Sequence, residues 1–364
     1  MKRSLSLLIA AFMLAGSVAF AEEATLIDFG TLDADILPDE NGNPTENART
    51  VVDYSINAGS AYTDEQKALM RTSLALNQWE VVLNTSSRTI SSVSKSVVVP
   101  APVKADAEVP FAGTNVMGVR VVFPTWNANA YAYVKPPFEI PAYDKLVSYD
   151  ENGVAQEQTD EQKASGKTRF EAYGDETAAY GIVKNVGTLK SIAVTTYGEQ
   201  FPHALYVLLS DTDGVERRYF MGNLLFDGWK ELQWNNPTYI SEVRTREIRV
   251  YPLYPRGLPF VKFNGFQIVR NADMTGGDFI GYFKDVKIIY DKALLVTERD
   301  IDDEDLWNIV GDREADKQSW EMKNFGQKQV NRFLEKDKMA TEESFESSLA
   351  QDGANAEATP VNAQ

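Results

Sequence analysis

The 364-residue chain contains no cysteine and one histidine, His203. Lack of cysteine excludes disulfides, thiolate nucleophiles and cysteine-ligated zinc together. Scarcity of histidine leaves His203 to serve any Ser-His-Asp arrangement, and no nucleophile-elbow pattern accompanies it. His203 sits between Pro202 and the apolar run Ala204–Leu209, so it reads as a structural residue. Basic charge is also short: 36 Lys and Arg face 53 Asp and Glu, a net charge of −17. Nucleic acid and anionic bilayers both require a basic face, so both are disfavoured as partners.

Ligand motifs are missing too. Gly276-Gly277 is followed by neither Lys-Ser/Thr nor a helical pattern, so it is no phosphate loop. Asp211-Thr212-Asp213-Gly214 begins like a calcium loop but lacks the third ligand position and the closing Glu; a hairpin turn is the better reading. Among 53 acidic residues some carboxylate pairs arise by chance, so they single out no glycosidase site, and an exported hydrolase stays open as a distant third reading. The pattern calls for no cofactor, no metal and no enzyme.

Long apolar runs are absent except at the N-terminus. Lys2-Arg3, the apolar Leu5–Val18 and the small-x-small site Ala19-Phe20-Ala21 form a secretory leader over residues 1–21. Cleavage between Ala21 and Glu22 takes the formal charge to −19. The run is too short for a membrane span, and no cysteine follows for a lipid anchor. An exported chain without a membrane anchor is expected.

What is abundant is strand pattern. Ile192, Val194 and Thr196 alternate with Ala193, Thr195 and Tyr197, the period of a strand with one buried face. Ala204–Leu209 reads as a covered strand, Asp213-Gly214 as a tight turn and Arg217–Met221 as the return. Lys230–Gln233, Glu247–Tyr251 and Val286–Tyr290 extend the series. In Val261–Val269 the apolar parity slips at Asn264-Gly265, which predicts a β-bulge. Upstream, Thr25–Phe29, Val51–Ile56, the stretch around Trp79–Leu83, Val116–Phe123 and Tyr131–Tyr133 also read as strands. Thr63 and Gln66 form a capping box for a helix over about residues 64–76.

Many short strands without interleaved helices predict a mainly β fold, an antiparallel jelly-roll-like β-sandwich of the carbohydrate-binding-module type. The sandwich is expected over residues 22–300, with an exposed Ser- and Pro-rich insertion at about 84–112. A C-terminal helical extension follows over 301–338, opened by the acidic cluster Asp302–Asp305 and striped by Val330, Phe333 and Leu334. The polar residues 339–364 are expected to lack stable structure.

Trp126, Tyr131, Tyr133, Trp229, Trp234 and Tyr239 fall at expected strand ends or loops. Exposed rings there suit either a protein interface or stacking on a sugar, while at least half are expected to be core or corner packing. A soluble periplasmic carbohydrate-binding module is therefore one functional reading, with glycan contact through these rings.

The other reading comes from particular segments. Ala24–Phe29 behind the leader, Leu224–Lys230, Val261–Phe266 and Gly277–Val286 resemble the FlaA-type flagellar filament outer-layer (sheath) proteins of spirochaetes. That resemblance implies an exported structural protein in the periplasmic flagellum. It would coat a core of flagellins, contact other copies of itself or a related sheath protein, and contribute to filament stiffness, shape and motility. It carries over no catalytic residues.

Overall fold

The computed structural model describes residues 21–38, 41–47, 49–55, 62–125, 129–143, 148–149, 155–156, 180–239, 259–293, 300–301 and 303–357. The leader upstream of Ala21, Trp126 and the expected strand Glu247–Tyr251 lie outside them.

Among the described residues, twelve strands build two six-stranded antiparallel sheets, in chain order β1 Glu22–Asp28, β2 Glu80–Leu83, β3 Val97–Pro102, β4 Asn115–Phe123, β5 Tyr131–Lys135, β6 Ile182–Lys184, β7 Val186–Glu199, β8 Ala204–Asp211, β9 Glu216–Asn223, β10 Asp227–Asn235, β11 Phe260–Val269 and β12 Gly277–Lys292. Sheet one runs β10-β7-β12-β4-β3, and β1 pairs with β12 beyond the end of β4. Sheet two runs β9-β8-β11-β5-β2, with β6 on the first residues of β11. Each sheet is thus organised by one long strand whose edge is shared by two shorter ones.

Alternation decides which residues enter the space between the sheets. From β7 come Ile192, Val194 and Thr196, and from β12 Phe279, Phe283, Val286 and Ile288, all essentially without exposure. Phe266 on β11 stacks on Phe283 across the sandwich, ring centroids 4.6 Å apart. Phe29, Trp79 and Phe263 extend the aromatic centre, and the Trp79 indole donates to the Leu74 carbonyl at 2.8 Å. Removing this much apolar surface from water is the main stabilising term.

The bulge lies where the parity slips. Leu208 pairs with Gly265 and Leu209 with Phe263, leaving Asn264 as the extra residue. The extra residue returns Phe263 and Phe266 to the same interior. Gly265 adopts φ +133°, and a Cβ there would lie 2.3 Å from the Val134 carbonyl oxygen. Gly214 has φ +73° and donates to the Asp211 carbonyl, closing the β8–β9 hairpin.

Three expectations need correction. The region 84–112 is not a simple insertion: α2 (Ile90–Lys95) leads into β3, an edge strand paired with β4. Its prolines, Pro100 and Pro102, are tolerated because an edge strand leaves one row of backbone groups unpaired. The helix capped by Thr63 and Gln66, α1, spans only Asp64–Ala68, and the chain turns at once into a short strand, Arg71–Ser73, paired with Val51–Asp53. Leu74 and Leu76 are nevertheless buried, so the apolar pattern there marks core contact rather than helix. Finally, after α3 (Asp303–Trp307), α4 runs from Ile309 to Glu357. Residues 339–357 thus continue the helix; they lack an apolar stripe but are rich in the strong helix formers Ala and Glu.

Helix α4 docks through Gln318, Met322, Phe325, Gln329 and Phe333, spaced by four or three residues on one face. Met322 and Phe325 join Phe138, Ile140 and Tyr180, with Val52, Tyr54, Met70 and Leu74, in a second small core outside sheet two. The buried Lys262 of β11 is held there by Glu139 at 2.7 Å and Glu321 at 3.7 Å. Burial works against the Glu139 charge, but the hydrogen bond from Lys262 and the charges of Lys262 and Lys328 prevail and lower its pKa.

Candidate functional surfaces

The interior between the sheets is packed, and among the described residues the outer faces of the two sheets carry clusters of aromatic rings. On sheet one, Tyr197 of β7 lies opposite both Trp229 of β10 and Tyr282 of β12. Because Ile192, Val194 and Thr196 point inward, this row of three rings points outward. Tyr197 lies 5.4 Å from Trp229 and 5.9 Å from Tyr282, and Phe111, from the loop between β3 and β4, packs edge-on to Trp229 at 4.7 Å. All four rings are half-buried by one another, and Lys284 stands 5.9 Å over Phe111. Burial, then the charges of Glu199 and Tyr197, raise the pKa of Tyr282.

Sheet two has a second aromatic surface. Tyr206 packs on Phe220 at 5.2 Å, and Tyr131 on Tyr133 at 5.4 Å. Arg218 lies over the Tyr206 ring and Lys135 over Tyr133, each at 4.8 Å. Arg218 also donates to Gln267 Oε1 at 3.1 Å. Phe220 remains 48% exposed.

The residues singled out in the sequence therefore separate. Trp229 belongs to the sheet-one row, and Tyr131 with Tyr133 to the sheet-two patch; both sets lie within strands rather than loops. Trp234 pairs with Ile192, shares its inward face and packs on Tyr219 at 4.7 Å. Tyr239 ties the chain after β10 to the sheet, its hydroxyl donating to Asp291 Oδ1 at 3.0 Å beneath Lys190. Trp126 is outside the described residues. The sequence reading missed Phe111, Tyr282 and Phe220. Tyr197 was visible as an outward residue, but its ring partners depend on strand pairing that no local pattern encodes.

His203 is buried against Phe123, Phe201 and Phe279. Burial first, and Arg270 second, lower its pKa to about 4. Its Nδ1 accepts from the Asn271 amide at 3.4 Å, so it acts as a neutral packing residue. Between α4 and sheet two, a cavity of about 550 Å³ is lined by Phe138, Tyr143, Phe260, Lys262 and Trp320. Its buried cation is already engaged by two carboxylates. Among the described residues, no helix is long and apolar enough to cross a membrane, and no group of three or more acidic or histidine side chains is placed to hold a metal.

Comparison with known proteins agrees with the segments quoted from the sequence. Two solved β-sandwich structures give TM-scores of only 0.27 and 0.25, at 10% and 11% identity. One, from work on carbohydrate-binding modules of promiscuous specificity, covers 69% of this chain and 70% of its own; the other, a module in complex with β-1,4-galactotriose, covers 59% and 90%. At those scores neither carries an argument about ligand. Curated relatives are far closer. A flagellar filament outer layer protein of Treponema pallidum (strain Nichols) is 56% identical over 92% of this chain and 93% of its own length. Its counterpart in Spirochaeta aurantia is 44% identical over 95% and 96%, and that of Borreliella burgdorferi 30% identical over 82% of each. The family model described as flagellar filament outer layer protein Flaa matches residues 43–299, most of the sandwich, and the chain belongs to that family.

Proposed function

We infer that this protein is a structural subunit of the outer layer of a periplasmic flagellar filament. It is exported, its leader is removed between Ala21 and Glu22, and it is laid on a core of flagellins, where it adds stiffness and shape. The observation that carries this reading is the 56% identity to a filament outer layer protein over nearly the whole of both chains. The outward aromatic rows support it, because such rings offer large contact area at low entropic cost. The beginning of β1 at Glu22, which pairs with Tyr290 and forms an ion pair with Lys292 at 2.7 Å, suits a mature chain that starts there.

The row Phe111–Trp229–Tyr197–Tyr282 is the surface we assign to the core filament. Fractionation tests the location: purified periplasmic filaments should contain the chain, and its N-terminal sequence should start at Glu22. Recovery of the chain only in the soluble periplasm, with filaments lacking it, would overturn the assignment.

A further inference from the structure

The two halves of α4 differ sharply. As far as Phe333 the helix buries its stripe against the second small core. From Leu334 to Thr341 every residue is exposed, including Leu334 at 45% and Met339 at 63%. The helical backbone continues to Glu357. At about 1.5 Å per residue, the segment after Phe333 is roughly 36 Å long. Residues 334–357 carry seven acidic against two basic residues. This is an acidic helical arm that the parent sandwich does not bury along its described exposed stretch.

The outer face of sheet two is also divided. Helix α4 covers the part around Ile182 and Lys262. Among the described residues, no helix covers the adjoining part, where Arg218 and Phe220 are exposed and Tyr133, Tyr206 and Lys135 partly so. It is the continuation of a surface on which this fold already seats a helix. Five strands spaced at about 4.8 Å make it about 20 Å across, so the arm is long enough to span it. The charges match as well. In a chain of net charge −17, this patch presents Arg218 and Lys135 over its rings; of the two carboxylates beside Lys135, Glu216 lies 3.8 Å from it, and Glu80, its cross-strand partner on β2, is already paired with Arg332 of α4 at 3.2 Å.

We infer that the α4 arm of one copy docks on the open aromatic half of sheet two of a second copy, beside that copy's own α4. The contact joins two different surfaces, so it need not close on itself and can propagate along a filament. This inference rests on the outer-layer reading for its purpose but not for its test, which uses the mature chain alone, without core filaments.

Sedimentation velocity over a range of concentrations, at low and high salt, reads the contact directly. The full mature chain should form an open series of species that weakens with salt. Two kinds of variant should each be monomeric at the same concentrations, losing at least about tenfold in association constant. One blocks the receiving face, Arg218→Glu with Phe220→Asp. The other blocks the arm, either by ending the chain after Phe333 or, keeping its length, by Leu334→Glu with Met339→Glu. Mixed in equal amounts, a face variant and an arm variant should form a dimer and nothing larger, because only one competent arm and one competent face remain. Circular dichroism and urea midpoints identify which arm variant is folded and suitable for use. A monomeric full chain, continued polymerisation by either variant alone, or a monomeric mixture would overturn the inference. Failure of the outer-layer reading would appear elsewhere, as absence of the chain from purified filaments.

Discussion

The residues between the two sheets and those on their outer faces come from the same alternating strands, yet they are arranged to opposite ends. Inside, Phe266, Phe283, Phe279 and Ile288 have no measurable exposure. Outside, Trp229, Tyr197 and Tyr282 form a row that is only partly buried, and Tyr206 with Phe220 a patch under Arg218. A monomer gains little by holding aromatic rings outward. The contrast teaches that the interior of this sandwich specifies the fold, while its outer aromatics are available for contact with other molecules.

The largest effect should come from breaking the interior. Phe266→Ala removes a ring packed against Phe29, Phe263 and Phe283, and is expected to cost about 3–5 kcal/mol. Urea unfolding measures it; a loss below about 1 kcal/mol would mean that the ring is not part of the shared core. Gly265→Val attacks the register instead. A β-branched residue at φ +133°, with its Cβ driven at the Val134 carbonyl, should cost about 3 kcal/mol. Unchanged stability in this variant would disprove the bulge at Asn264.

A pH titration sharpens the same comparison. The folded pKa of His203, about 4, lies below the unfolded value near 6.5. Between those values the unfolded chain binds more protons, so stability is full above pH 6.5 and falls as the pH drops toward 4. The loss amounts to at most about 3 kcal/mol. His203→Gln should flatten the unfolding free energy between pH 6.5 and 5, above the range where carboxylates dominate. An unaltered slope there would place the sensitivity in other groups.

Much of this fold is legible in the sequence because strand period and turn chemistry are local. The alternation in Ile192–Tyr197, the turn at Asp213-Gly214 and the parity slip at Asn264-Gly265 all mark features found in the structure. The less legible parts depend on contacts distant in sequence. Nothing near Glu22–Asp28 or Asn115–Phe123 reveals that both pair with β12 end to end. The strand Val97–Pro102 is obscured by its prolines, which matter little on an edge. The outer aromatic row was half visible: Trp229 stands out as a tryptophan after a turn, whereas Phe111 approaches it from a loop more than a hundred residues away. The length of α4 beyond residue 338 was obscured because helix without an apolar stripe resembles a polar tail in composition.

The central claim is that the outward aromatics bind a filament and the inward ones do not. Co-sedimentation of the mature chain with purified flagellin core filaments tests it most directly, comparing wild type with Trp229→Ala. Loss of an interface anchor typically costs about 2 kcal/mol, or roughly thirtyfold in affinity. The account predicts saturable binding by the wild type, a weakening of that size in Trp229→Ala, and nearly unchanged urea unfolding for the variant. Equal co-sedimentation of the two proteins, or binding lost only because the variant has unfolded, would contradict it.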